Sequence, residues 1–265
     1  MTEQAWHVYE RTRSALKCAC IGWLSRCGYA YADPTEPYTA VQKAEVKTAR
    51  LHVLQRAAAD KDGVPFYPIE TPIVYNHNLD AVRKQDTIKL IVVGDNPGKN
   101  EQLHTNQRYL VGQAGKVAEN FFKRHAELAI DFRKNVIILN KTPIHTAKTQ
   151  ELLQLLAADT AAFYDLFIET QRSYAAVAAA LQKAIGCPLW LVGYGGLRKK
   201  ACFTAYAEEL KARYAGEAAA PVFVFQHFSM NCFANDLAKH RQAGSSLQDT
   251  LDALGLLHRK EILGW

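Results

Sequence analysis

The chain has 265 residues and a mass of 29.6 kDa, with 49% hydrophobic, 22% charged and 10% aromatic residues. That mix excludes a disordered tail, a collagen-like rod and a coiled coil, and the length suits one domain of about 200–250 residues or a domain with an extension. Lysine and arginine number 32 against 26 acids, giving +6 and a pI near 8.9, a surplus compatible with a polyanionic partner.

The six cysteines (Cys18, Cys20, Cys27, Cys187, Cys202 and Cys232) form no C-x-x-C pair. Cys18-Ala19-Cys20 is spaced wrongly for a zinc knuckle, so neither a metal nor a cofactor is expected. The N-terminus, MTEQAWHVYERTRSALK, is charged throughout and lacks a signal-peptide core. No uncharged run free of Gly and Pro reaches the roughly 18 residues of a membrane span. A cytoplasmic monomer with reduced thiols is the expectation.

In chain order, the first 62 residues read as largely helical. Ala15, Leu16, Cys20 and Leu24 follow the spacing of one buried helix face, and Val41–Asp60 has no interior Gly or Pro. Gly63–Pro72 is a Pro-rich connector. Short apolar runs then alternate with helix-like stretches. The runs are Lys89–Val93, Val136–Leu139, Leu189–Val192 and Val222–Phe225, and helices are expected over Lys116–Ala129, Gln150–Ile185 and Leu197–Tyr214. Ser245-Ser246-Leu247-Gln248 has the capping-box spacing that opens a last helix. Continuous apolar strands between helices predict an α/β fold, a three-layer α/β/α sandwich around a central four-stranded parallel sheet. Residues 1–80 form an N-terminal helical extension on that core, and 81–265 form the α/β/α domain.

Ligands of open parallel sheets bind at the carboxyl ends of the strands. Here those ends read Gly94-Asp95-Asn96-Pro97-Gly98, Asn140-Lys141-Thr142-Pro143, Gly193-Tyr194-Gly195-Gly196 and Gln226-His227-Phe228-Ser229-Met230-Asn231. Three of the four carry polar side chains able to donate and accept hydrogen bonds, which points to a shared cleft. The third end is not a dinucleotide fingerprint, because Arg198 occupies the place of its last glycine.

The stretch VVGDNPGKNEQ, with YLVGQAGKVAENFF after it, resembles the first motif of the uracil-DNA glycosylase superfamily. Gly94–Gly98 is similar to the GxNPG form of its mismatch-specific and single-strand-selective branches, and Leu110–Gly115 to the FVGxAG segment of the thermostable branch. NVIILNKTP resembles the strand that ends in the base-reading asparagine, and FQHFSMN the HPSP motif. The four occur in family order over roughly residues 87–235.

The resemblance implies a monofunctional DNA glycosylase that flips uracil or a related damaged pyrimidine out of DNA in base-excision repair. On that reading Asn96 matches the residue that positions the attacking water, while Asp95 matches an acid used in the thermostable branch. The choice between them stays open. Asn140 would read the pyrimidine edge, with Gly94, Tyr109 and Leu110 around the base, and His227 would support charge developing on the departing base. Gly112, Ser229, Met230 and Asn231 would touch DNA. Arg198 and Lys199 of the Arg198-Lys199-Lys200 cluster, and the basic run Lys239-His240-Arg241, follow the third and fourth strands and read either as phosphate contacts or, as clusters of that size more often are, as solvated helix faces. Asn96, Asn140 and His227 are expected to converge on one pocket. Phe228 and Met230 stand where HPSP has prolines, and Leu110 where the family stacks an aromatic. These departures keep a second function in play: a nucleic-acid- or nucleotide-binding protein of the same fold, weak or inactive in cleavage.

Overall fold

The computed structural model describes residues 1–159 and 161–265. Its elements in chain order are α1 (Glu3–Arg26), α2 (Ala40–Thr48), α3 (Arg50–Lys61), α4 (Asn78–Ala81), β1 (Leu90–Gly94), α5 (Gln113–Arg124), β2 (Val136–Asn140), α6 (Glu151–Ala158), α7 (Ala162–Ile185), β3 (Leu189–Val192), α8 (Thr204–Arg213), β4 (Val222–Phe225), α9 (Cys232–His240) and α10 (Leu247–Leu263). The strands form one all-parallel sheet in the order β2-β1-β3-β4, with helices on both sides. Every strand residue is buried, because both faces of the sheet are covered.

Strand alternation decides which helix each side chain meets. Trp190, Phe223 and Phe225 face α5, α9 and α10. Trp190 stacks on Phe122 of α5 at 5.7 Å, and Phe225 meets Phe233 of α9 edge-on at 5.3 Å. A Cβ on Gly255 would lie 2.7 Å from that of Phe223, so the glycine lets α10 lie directly on β4. The opposite face is covered by α7, which crosses β1 and β2 and packs against α8. Outside α7 lies α1, whose Trp23 indole donates to Glu169 at 2.8 Å.

The four expected strands are present, with β1 and β2 each running one residue further, to Gly94 and Asn140. The helices differ from expectation at their ends: α5 begins three residues before Lys116 and ends at Arg124, with a 3-10 turn at Ala126–Leu128 in place of its last residues. Cys27–Thr39 is not helical, and Val41–Asp60 breaks at Ala49, whose backbone turns extended (φ −62°, ψ 131°). Ala15 is exposed, while Leu16, Cys20 and Leu24 are buried as the spacing requires. The stretch Gln150–Ile185 holds two helices, the first ending at Asp159, where the buried carboxylate meets Arg50 at 2.6 Å; Thr160, also within the stretch, lies outside the described residues. Leu197 is the last residue of a 3-10 turn that starts at Tyr194, an irregular loop follows it, and α8 starts only at Thr204. The last capping box uses Ser246 and Asp249, one position later than the Ser245–Gln248 spacing.

Residues 1–80 contribute to the main hydrophobic core of the α/β layers, which runs from Tyr9 to Leu263, while Ala59, Val64, Tyr67 and Ile69 form a small cluster of their own. They also reach the strand ends, since Ile73 bridges Ile144 antiparallel and the Val74 N–H donates to Pro143 O at 2.9 Å. The six cysteines are free, with Cys18 exposed and Cys20 buried on different sides of α1. Among the described residues no helix is long and apolar enough to cross a membrane.

Candidate functional site

The parallel register sets the ends of β1 and β2 side by side, pairing Gly94 with Asn140. Asn140 is 2% exposed, and its carboxamide lies over Gly94, where a Cβ would come within 2.5 Å of Oδ1. Its Nδ2 is buried without a hydrogen-bond partner. Gly94→Ala should therefore displace the Asn140 side chain at a stability cost of about 1–3 kcal/mol, the usual range for overpacking. A melting temperature unchanged from wild type would contradict this.

Below this pair lies Lys141, which has no solvent exposure at all. Its Nζ donates to Asp95 Oδ1 at 2.5 Å and to Val192 O at 2.7 Å, with Gly94 O at 3.3 Å and Gly193 O at 3.4 Å. One buried ammonium thus gathers the ends of β1 and β3 and holds the Asp95 carboxylate at the rim, where that side chain keeps 17% exposure. Gly193 is required twice over. Its φ is +87°, and a Cβ there would sit 2.5 Å from Asp95 Oδ1.

The Gly193 N–H donates to Phe225 O at 3.0 Å, tying the end of β4 to this group. His227 follows two residues later. Its Nδ1 accepts the Ser229 N–H at 3.1 Å and lies 2.7 Å from the Ser229 hydroxyl. A backbone N–H can only donate, so Nδ1 is unprotonated and the neutral ring carries its hydrogen on Nε2. Burial lowers the His227 pKa, with Asp95 pulling it up and Lys141 pushing it down. The ring is therefore a neutral donor beside a carboxylate.

Asn96 does not join this group. Its Nδ2 donates to Thr146 Oγ1 at 2.8 Å and its Oδ1 accepts from Thr149 Oγ1 at 2.9 Å, which staples the loop after β1 to the loop after β2. Of the two neighbouring candidates, Asp95 is the one facing the cluster. Tyr109 also departs from expectation. It has no exposure, donates to Val74 O at 2.6 Å and pairs with Tyr174 at 2.9 Å, in a buried chain that continues to Cys20. Leu110 faces the site instead, its Cδ2 3.9 Å from the position of a Gly94 Cβ.

Gly112 caps α5 with nothing within 4 Å of a Cβ, so close approach belongs to Gly115 and not to Gly112. Phe228 is buried against Phe233 at 4.8 Å and anchors the loop whose tip is Met230, 84% exposed. Met230 and Asn231 are both left-handed (φ 53° and 55°), and Asn231 is exposed. Ser229 acts on His227 as described above. Arg198, Lys199 and Lys200 are exposed in the loop before α8, with the Arg198 guanidinium 5.5 Å from the Tyr194 ring. Lys239, His240 and Arg241 are exposed at the end of α9.

Sequence reasoning passed over two groups, Lys141 and Glu101. A lysine separated by a single residue from the apolar run Val136–Leu139 is the available signal for the first. Glu101 is 7% exposed and accepts the Gly98 N–H at 3.1 Å, and Leu110 and Val111 are with Gly98 among the backbone donors that favour its ionised form. Burial pushes its carboxyl up from 4.5 to about 7, against the pull of those donors and of Arg133. Because the folded carboxyl holds its proton to higher pH, its stabilising contribution is complete below 4.5 and is lost as pH rises through about 7. Urea titrations should show wild type losing stability relative to Glu101→Gln across that window, by up to roughly 3 kcal/mol. Parallel pH profiles would refute the assignment.

No family model matches the chain, and neither the curated proteins nor the solved structures contain a match to it.

Proposed function

We propose that the chain is a uracil-DNA glycosylase-like hydrolase, which flips uracil or a related damaged pyrimidine from DNA and hydrolyses its N-glycosidic bond. The observation that carries the reading is the Asn140 carboxamide, buried at the strand ends with a free Nδ2. An unpaired buried donor costs about 1–3 kcal/mol, so a ligand that engages it recovers that energy. Its planar acceptor–donor pair complements the N3–H and O4 of uracil, and cytosine presents the opposite pattern.

Cleavage of the glycosidic bond leaves positive charge on the sugar and negative charge on the base. The neutral His227 Nε2–H is suited to donate to the base oxygen as that charge develops. Asp95, held at Oδ1 by Lys141, is suited to orient a water and to face the sugar cation. The water adds to the sugar carbon, and the base leaves with the bonding electrons and is then protonated. Arg198, Lys199 and Lys200, with the exposed Met230 tip, are the elements suited to contact the DNA.

The test is strand scission by alkali after incubation with single- and double-stranded oligonucleotides that contain uracil. Asn140→Asp should shift the preference between uracil and cytosine by about 1–3 kcal/mol while leaving affinity for DNA nearly constant, since phosphate contacts supply most of that affinity. Equal loss of cleavage on both bases, with no change in their ratio, would remove Asn140 from base reading. A second reading is binding without cleavage, favoured by the commitment of Asn96 to Thr146 and Thr149. DNA binding without scission in any of these substrates is its outcome.

A further inference from the structure

Strand β2 lies at one edge of the sheet, and its outer side opens into a cleft. The Lys89 N–H donates to Asn135 O at 2.8 Å and the Lys141 N–H to Gly94 O at 3.0 Å, so the odd-numbered residues of β2 turn their backbone groups toward β1. The backbone groups of Val136 and Ile138 therefore point outward. Asn76 lies on that outer side, where its Nδ2 donates to Ile138 O at 2.8 Å. Among the described residues nothing accepts from the N–H groups of Val136 and Ile138, and nothing donates to Val136 O. These groups belong to the floor of a cleft of about 690 Å³. An open strand edge is a template for a further strand, and no charged side chain within Val136–Leu139 blunts this one.

The two walls of the cleft differ. The register aligns Ile138 and Trp190 with Val92, and Trp190 stacks on Phe122, so the Ile138 side chain lies on the α5 face of the sheet. Lys116 of α5 lines the cleft, as does Arg108 from the loop leading into α5. Both are exposed, and among the described residues neither has an acidic partner within 4.0 Å. The acids of the lining are already engaged, Glu119 with Lys123 at 2.6 Å and Arg133 at 3.0 Å, and Asp86 with the Arg83 N–H at 2.8 Å. The other wall is aliphatic. It consists of Leu79, Val82 and Ile88 in and after α4, which the Tyr9 hydroxyl ties to α1 through Leu79 O at 2.8 Å.

We propose that this cleft docks an extended acidic peptide segment of a partner protein, which adds to β2 as an outer strand. The segment donates to Val136 O and accepts from the Val136 and Ile138 N–H groups. The ladder stops at Ile138 O, because Asn76 already holds that acceptor. Side chains of an added strand alternate between the two faces of the sheet. Acidic ones on one face meet Lys116 and Arg108, while aliphatic ones on the other meet Leu79, Val82 and Ile88. A nucleic-acid strand answers the two cations but neither the aliphatic wall nor the strand edge. Asn140, Asp95 and His227 do not line the cleft, so its occupation is measured independently of base excision.

The probe is a fluorescein-labelled octapeptide of alternating glutamate and valine, titrated into the intact chain and followed by anisotropy. Saturable binding is expected, weakened at least several-fold by N-methylation of the whole peptide backbone and by lysine in place of glutamate. Amide hydrogen exchange reads the geometry. Val136 and Ile138 should gain several-fold protection in the complex, while Leu139, whose N–H faces β1, should not change. The double substitution Arg108→Glu with Lys116→Glu, at exposed side chains, should weaken binding at least several-fold. Val136→Pro removes an outward donor without touching the β1 ladder and should do the same; if it folds poorly, the charge variant still decides. Absence of saturable binding, binding that leaves exchange at Val136 and Ile138 unchanged, or full affinity in the charge variant overturns the proposal. So does an oligothymidylate that binds more tightly and displaces the peptide, since the cations then serve nucleic acid.

Discussion

Asp95→Ala should destabilise the protein by about 3–5 kcal/mol, the range for removing one partner of a buried ion pair. The loss arises from what remains. Lys141 has no solvent exposure, and without Asp95 its ammonium keeps the uncharged backbone carbonyls of Gly94, Val192 and Gly193 and the face of the Phe203 ring, with no anion beside it among the described residues. A second substitution, Lys141→Met, removes the stranded charge and should restore most of the stability of Asp95→Ala. Urea unfolding of the two single variants and the double variant measures this directly. If the double variant is no more stable than Asp95→Ala, the ion pair is not what Asp95 contributes. On the glycosylase reading, neither variant should cleave uracil-containing DNA, so stability returns in the double variant and activity does not.

His227→Ala should lower single-turnover cleavage by about 10²–10³, the effect of removing one preorganised donor to a developing oxyanion. Binding of an oligonucleotide carrying a non-hydrolysable deoxyuridine analogue should stay within a few-fold of wild type, because the contact strengthens mainly as charge develops. The ring needs no proton gained from solvent. Burial and Lys141 keep it neutral, and the Ser229 N–H fixes the hydrogen on Nε2. Equal losses in binding and in cleavage would mean that His227 shapes the loop and takes no part in the reaction.

The fold was legible in the sequence where a signal is local. Runs such as Leu189–Val192 are apolar without interruption because both faces of a parallel strand are buried, and that composition needs no knowledge of the partner strand. Helix ends were less legible. The break at Ala49 has no Gly or Pro to announce it, and the chain turns there for tertiary reasons: Leu51 and Gln55 are buried in α3, and Gln55 reaches Pro72 O and His145 O at 2.9 and 2.7 Å. Strand-end position drew attention to Gly94, Asp95, Asn140 and His227 through the rule that parallel sheets bind ligands at their carboxyl edge.

What each residue does at that edge depends on direction and partners, which adjacent positions in a sequence do not reveal. Asp95 and Asn96 are neighbours, yet one meets Lys141 and Gly193 while the other is spent on Thr146 and Thr149. Tyr109 and Leu110 divide in the same way, the tyrosine into the core and the leucine over Gly94. Only the packing of the strand ends around Lys141 makes it their buried centre. By itself the sequence determined the parallel sheet, because burial and strand period are written in composition, and the sheet in turn names the edge at which a ligand is expected. Tertiary structure alone decided which of two adjacent side chains faces that edge, because a turn of one residue reverses the direction of a side chain and no local pattern records which reversal the packing selects.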